Sequence, residues 1–270
     1  MLKLARTFIL GAGLCAAAAT AALAAEGTSP PLKDGDWSFE GVFGTYDSAQ
    51  LRRGFQVYQG VCSACHGLRQ VSYRNLLQIG ISEEQAKQIA GEKTKKVIDD
   101  TGDVVDKPRG LADRFASPFP NDQAAKAANN GALPPDLSLI TKARLGGPRY
   151  LYSLLIGYVS NEECTKAYKD FEGKPLKPAD GQYCNAYFPG HILAMAPPIT
   201  ADGQVEYTGE NAPKATVQQM AKDVSAFLMW AAEPKMEERK RLGIKVILFL
   251  LLLTGLLYGI YRKVWAGIKH

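Results

Sequence analysis

Histidine is scarce in this 270-residue chain: His66, His191 and His270 are all there is. Cysteine is nearly as rare, at positions 15, 62, 65, 164 and 184. That scarcity argues against a zinc site built on Cys62 and Cys65. Such a site needs further ligands nearby, and after His66 the next cysteine is Cys164 and the next histidine His191. Excess positive charge is missing from the body of the chain. Residues 26–232 hold 22 Lys/Arg against 24 Asp/Glu, so nothing points to nucleic acid. No internal repeat is present. Acidic residues are absent before Glu26, as in the positive leader of an exported protein.

The most informative stretch is Cys62-Ser63-Ala64-Cys65-His66. Its spacing is that of a site for covalent attachment of a c-type haem. Two thiols three residues apart can add to the two vinyl groups on one porphyrin edge, and the next imidazole can serve as the proximal iron ligand. A thioredoxin-type dithiol would follow a strand. Here the preceding residues, Gln50 to Val61, carry a helical pattern instead.

Both ends of the chain read as membrane-directed. Lys3 and Arg6, an apolar run from Phe8 to Ala19 and the small-x-small triplet Ala22-Leu23-Ala24 make a secretory signal peptide. Its cleavage site falls after Ala24, or after Ala25 in a shifted register. The run is short for a membrane anchor. A mitochondrial transit peptide would be richer in Arg and Ser, so export by a bacterium is favoured. Near the other end, Ile244 to Tyr261 contains a single charge, Lys245. These 18 residues make roughly 27 Å of helix, close to the hydrocarbon thickness of a bilayer. Tyr258, Tyr261 and Trp265 suit an interfacial belt. The expected organisation is a leader over 1–24, a haem domain over 25–235 and an anchor with a short tail over 236–270. An exported head would leave that tail in the cytoplasm.

Between these landmarks the chain reads as helix and long loop. Asp47 or Ser48 caps a helix running to about Gly60, with Leu51, Phe55, Tyr58 and Val61 on one face. Gly54 allows a close crossing, and the expected partner is Val217 to Ala232, with Thr216 as its cap and Met220, Val224, Phe227 and Leu228 as its stripe. Ser82 to Gly91, with a Ser82/Gln85 capping box, and Gly147 to Gly157 are shorter helices. Residues 93–130 read as charged and loop-rich. Among the methionines, Met220 and Met229 belong to the helix stripe and Met236 precedes the membrane. Met195 lies in Ala194-Met195-Ala196-Pro197-Pro198, a loop stiffened by prolines. On these residues alone Met195 is as much a packing residue as a distal iron ligand, with His191 its rival.

Arg53-Gly54-Phe55-Gln56-Val57-Tyr58 leads into the haem motif, and Asn129-Asn130-Gly131-Ala132-Leu133-Pro134-Pro135-Asp136-Leu137-Ser138 follows. Tyr187-Phe188-Pro189-Gly190, Met195-Ala196-Pro197-Pro198 and Ala226-Phe227-Leu228-Met229-Trp230-Ala231-Ala232-Glu233-Pro234 come next. In these strings, in this order, the chain resembles the cytochrome c1 family. The resemblance implies a mainly α fold: an enlarged class I cytochrome c-like head with long loops, plus one C-terminal transmembrane helix. It implies one covalent haem c on Cys62 and Cys65, ligated by His66 and Met195. By the same resemblance, Arg144 and Tyr150 are expected near a haem propionate and Pro135 beside the proximal ligand. The implied partners are cytochrome b, the Rieske iron–sulfur protein and a soluble cytochrome c, in a dimeric, quinol-oxidising complex of the bacterial inner membrane with the head in the periplasm. No residue needs to act as a general acid or base. Cys164 and Cys184 are the two thiols left over in an oxidising compartment, and pair as a disulfide.

Overall fold

The computed structural model describes residues 30–170, 172–209 and 211–267. The leader and its cleavage site lie outside these. The frame of the head is two crossing helices, α1 (Ser48–Gly60) and α6 (Val217–Ala232). Asp47 caps α1 by accepting from the amides of Ala49 and Gln50, and Thr216 caps α6 by accepting from Gln219. Each cap satisfies amides that have no partner inside the helix. The buried face of α1 is Leu51, Gly54, Phe55, Val57 and Tyr58, and that of α6 includes Met220, Val224, Phe227 and Leu228.

The two helices meet at Gly54. A Cβ there would run into the Asp223 carbonyl and come within 2.7 Å of the Phe227 Cβ. Around the crossing, Phe227 packs on Phe55 and Tyr58 with ring centroids 5.6 and 5.8 Å apart, and Phe115 packs edge-on to Phe55 at 6.1 Å. The crossing also holds a charge. Asp223 is fully buried and is compensated by Arg53 Nε at 2.8 Å and by the amide nitrogens of Gln50 and Gln219 at 2.9 and 2.8 Å. A buried carboxylate survives only with such a set of donors.

Further elements fill in around this frame. A 3-10 turn, Tyr73–Ile79, supports α2 (Glu83–Gly91), which starts on the Ser82/Gln85 capping box. Residues 93–130 are more ordered than their charge suggests. They form an antiparallel hairpin of β1 (Thr94–Ile98) and β2 (Val104–Pro108), then α3 (Asp122–Ala128). The helix expected near 147–157 is α4 (Gly147–Ile156), packed on α6. After it come β3 (Tyr158–Val159), α5 (Asn161–Ala167), β4 (Tyr183–Asn185) and β5 (Ile192–Leu193), the strands forming one small antiparallel sheet in the order β3-β4-β5.

The last helix, α7 (Met236–Trp265), is 30 residues long. Its most apolar window has a mean hydropathy of 2.2 and none of it is buried. It is long and apolar enough to cross a membrane. It begins eight residues before the apolar run, because Met236 to Gly243 continues the same helix with Glu237 and Glu238 in its favourable first turn.

Candidate functional site

The Cys62–His66 segment is delivered by the end of α1. The amide of Val61 closes on Val57, and a 3-10 turn then covers Cys62–Ala64. The amides of Cys65 and His66 both donate to the Cys62 carbonyl, at 3.2 and 2.9 Å. Residues three apart in such a turn eclipse one another, so the spacing sets both thiols on one face. Burial, then the neighbouring Cys65, push the Cys62 thiol up to about 12.

His66 is fixed from two directions. Its carbonyl accepts from the Tyr58 hydroxyl at 3.0 Å, and its Nδ1 lies 2.8 Å from the Pro135 carbonyl oxygen. A carbonyl can only accept, so Nδ1 carries the proton and Nε2 keeps its lone pair. Burial pulls the imidazole below its usual pKa against the opposing pull of Pro135 and Asp136, which favours the neutral form.

Asp136 places that carbonyl. Its Oδ2 accepts from the Arg69 amide at 2.9 Å and from Arg69 Nε at 3.3 Å, and its Oδ1 accepts from the Ser138 amide at 3.0 Å. The Leu137 amide donates to Gly67 and the Gln70 amide to the Ser138 hydroxyl. The 135–138 segment is thereby laced to the residues that follow His66. Burial opposes ionisation of Asp136, but the hydrogen bonds from Ser138 and Arg69 prevail and hold its carboxyl below the usual range. Sequence reasoning assigned Asp136 no role. The signal was an Asp two residues before a Ser, the pattern of an Asx turn.

Arg144 and Tyr150 come together at the start of α4. Burial raises the Tyr150 hydroxyl, and the Arg144 guanidinium beside it pulls the other way. Arg144 is exposed and also donates to the Ala143 carbonyl at 3.1 Å. Tyr158, on β3, was also missed by the sequence reading. Its hydroxyl donates to the Met195 carbonyl at 3.0 Å and approaches that of Ala196 at 3.4 Å. Burial, then Tyr150 and Tyr183, raise its pKa.

The rival histidine has a different occupation. His191 is buried in a left-handed backbone conformation (φ 61°), and its ring stacks on Tyr168 at 3.8 Å. Its Nδ1 lies 3.2 Å from the Asn185 carbonyl, and its backbone carbonyl accepts from the Asn185 amide at 2.9 Å. Cys164 and Cys184 are joined in a disulfide with Cα atoms 6.0 Å apart, and both are buried. It ties α5 to β4, whose partner β5 ends two residues before Met195.

Among the described residues no three His, Cys, Asp or Glu side chains converge to hold a metal ion. The donors present fit a c-type haem instead: two thiols on one turn, a neutral imidazole whose Nε2 keeps its lone pair, and a thioether in an anchored loop.

Comparison with known proteins agrees. The model of the Cytochrome C1 family matches residues 37–268. Cytochrome c1 of Rhodospirillum rubrum is 47% identical over the full length of both chains. The mitochondrial cytochrome c1 haem protein of Saccharomyces cerevisiae is 45% identical over 86% of this chain and 72% of its own. A Bradyrhizobium diazoefficiens protein called cytochrome b/c1 is 44% identical over 91% of this chain and 37% of its own. The chain belongs to the cytochrome c1 family, the haem-carrying electron-transfer subunits of the cytochrome bc1 complex.

Proposed function

We propose that this chain carries one haem c, which would be joined through thioethers to Cys62 and Cys65 and held at its iron by His66 and Met195. It takes one electron at a time from the Rieske iron–sulfur protein and passes it to a soluble periplasmic cytochrome c. The observation that carries this reading is the 2.8 Å hydrogen bond from His66 Nδ1 to Pro135, which leaves Nε2 as the ligating atom. When bound, the haem supplies a one-electron couple and no bond-making chemistry.

The protein's part is to orient and insulate. His66 is held in one tautomer, and the Met195 loop is held by Tyr158. A thioether ligand favours ferrous iron over what a second imidazole would give, and so raises the potential. Arg144 offers a guanidinium to a propionate, with Tyr150 beside it. The α7 helix anchors the head in the bacterial inner membrane, with the head in the periplasm, the C-terminus in the cytoplasm and the leader removed. Cytochrome b is a partner in a dimeric complex, a reading supported by the relative in which b and c1 share one chain.

Rapid mixing with quinol tests the electron path. In the purified membrane complex, quinol reduces the c-type haem, and extraction of the iron–sulfur protein abolishes that reduction. Persistence of the reduction without the iron–sulfur protein would overturn the proposed donor.

A further inference from the structure

Val42 and Phe43 stand side by side on the head with 64% and 83% of their surfaces exposed. The turn that presents them is built for the purpose. Gly41 has φ +70°, and a Cβ on Gly44 would run into the Glu40 carbonyl, so both positions require glycine. The turn is closed by the Thr45 amide on Ser38 at 3.1 Å and by the Ser38 hydroxyl on the Thr45 carbonyl at 2.8 Å. At its base Trp37 and Phe39 are buried.

Its ties to the last two helices give its place. The Tyr46 hydroxyl donates to the Glu233 carbonyl at 3.1 Å, and the Tyr46 amide donates to Glu237 at 2.8 Å. Lys240 Nζ donates to the carbonyls of Phe39 and Gly44, at 2.7 and 3.0 Å. From Tyr46 to Gly44 the partners thus advance along α7, from Glu237 to Lys240. Lys240 lies only four residues before Ile244, roughly 6 Å of helix rise from the start of the apolar run. Val42 and Phe43 lie between the two residues that Lys240 holds, Phe39 and Gly44, so the turn sits beside the part of α7 that leads into the apolar run.

We infer that the Val42–Phe43 tip enters the headgroup layer of the membrane beside α7, as a second, peripheral contact of the head with an anionic lipid surface. This takes α7 as the anchor proposed above. Lys235, Arg241 and Lys245 are exposed at the same end of that helix and complement anionic headgroups. Two apolar side chains fall far short of the area of a stable protein interface. They suffice for lipid because α7 already holds the head at the surface, which makes the second contact intramolecular. The consequence is a head fixed in tilt rather than swivelling on one helix.

Spin labels test this in the full membrane complex, reconstituted into nanodiscs of phosphatidylcholine and phosphatidylglycerol. Phe43→Cys is labelled beside Leu250→Cys on α7 and Asp100→Cys on the exposed hairpin, with the unsubstituted chain as the blank. Collisions with oxygen are compared with collisions with a water-soluble nickel complex. The Phe43 label is expected to favour oxygen, as Leu250 does and in reverse of Asp100. A water-like ratio at Phe43 would overturn the inference. Shielding from both reagents would also overturn it, by assigning the tip to a neighbouring protein. A water-like ratio at Leu250 would instead indict the anchor.

Discussion

The Tyr158 hydroxyl donates to the Met195 carbonyl at 3.0 Å, so the loop carrying the proposed distal ligand is held by a residue 37 positions earlier in the chain. Tyr158→Phe keeps the ring and removes the bond. The expected loss is about 1 kcal/mol, felt by the loop more than by the head as a whole. Under denaturant, the methionine-to-iron absorption of the variant should disappear well before the helical signal. Simultaneous loss in variant and wild type would mean that Tyr158 does not position Met195.

Asp136 makes a prediction about acid. Its folded pKa is depressed, so the stability it contributes is complete above its unfolded value, about 3.9, and is lost as pH falls through the lower folded value. Asp136→Asn should therefore flatten the acid limb of the stability curve. The proximal loop should also be looser at neutral pH, because Asn accepts the Arg69 bonds more weakly. Melting temperatures followed below pH 5 check this, and parallel acid limbs would contradict it.

Two glycines on helices should behave oppositely. Gly54→Ala drives a methyl into the Asp223 backbone and the Phe227 Cβ, and overpacking of this kind costs about 1–3 kcal/mol. Gly91→Ala, at the last position of α2, meets nothing within 4 Å and should be neutral or stabilising by up to about 1 kcal/mol. Denaturant midpoints of the two variants decide this. Equal effects would mean that the α1–α6 crossing yields more readily than its geometry implies.

The Cys164–Cys184 disulfide closes 20 residues of separation and ties α5 to the sheet that leads into Met195. Replacing both cysteines by alanine should cost roughly 3 kcal/mol on the chain-entropy model. Because β4 pairs directly with β5, it should also lower the haem potential by loosening the thioether ligand. A redox titration of the double variant with an unchanged midpoint would detach the bridge from the ligand loop.

The helical frame was legible in the sequence because it follows from strong local signals. Asp47 and Thr216 cap where their side chains demand, and the crossing falls on Gly54 because only glycine fits there. The haem motif was legible because its chemistry is fixed by spacing over five residues. What was not legible depends on contacts distant in sequence. Strands β3, β4 and β5 are two or three residues long, too short for any periodicity, and exist through pairing and the disulfide. The β1–β2 hairpin was obscured by its lysines and aspartates, although Val97, Ile98, Val104 and Val105 flank its turn. Asp136 and Tyr158 act through backbone atoms of other segments, and no local pattern announces such a partner.

The central claim is that His66 and Met195 together ligate a closed, electron-transferring haem. The most direct test is the absorption spectrum of the ferric, haem-loaded protein, wild type beside Met195→Leu. The account predicts a weak far-red band from methionine sulfur on ferric iron in the wild type and its absence in the variant. A wild type without that band, or a variant that retains it, would contradict the assignment of Met195.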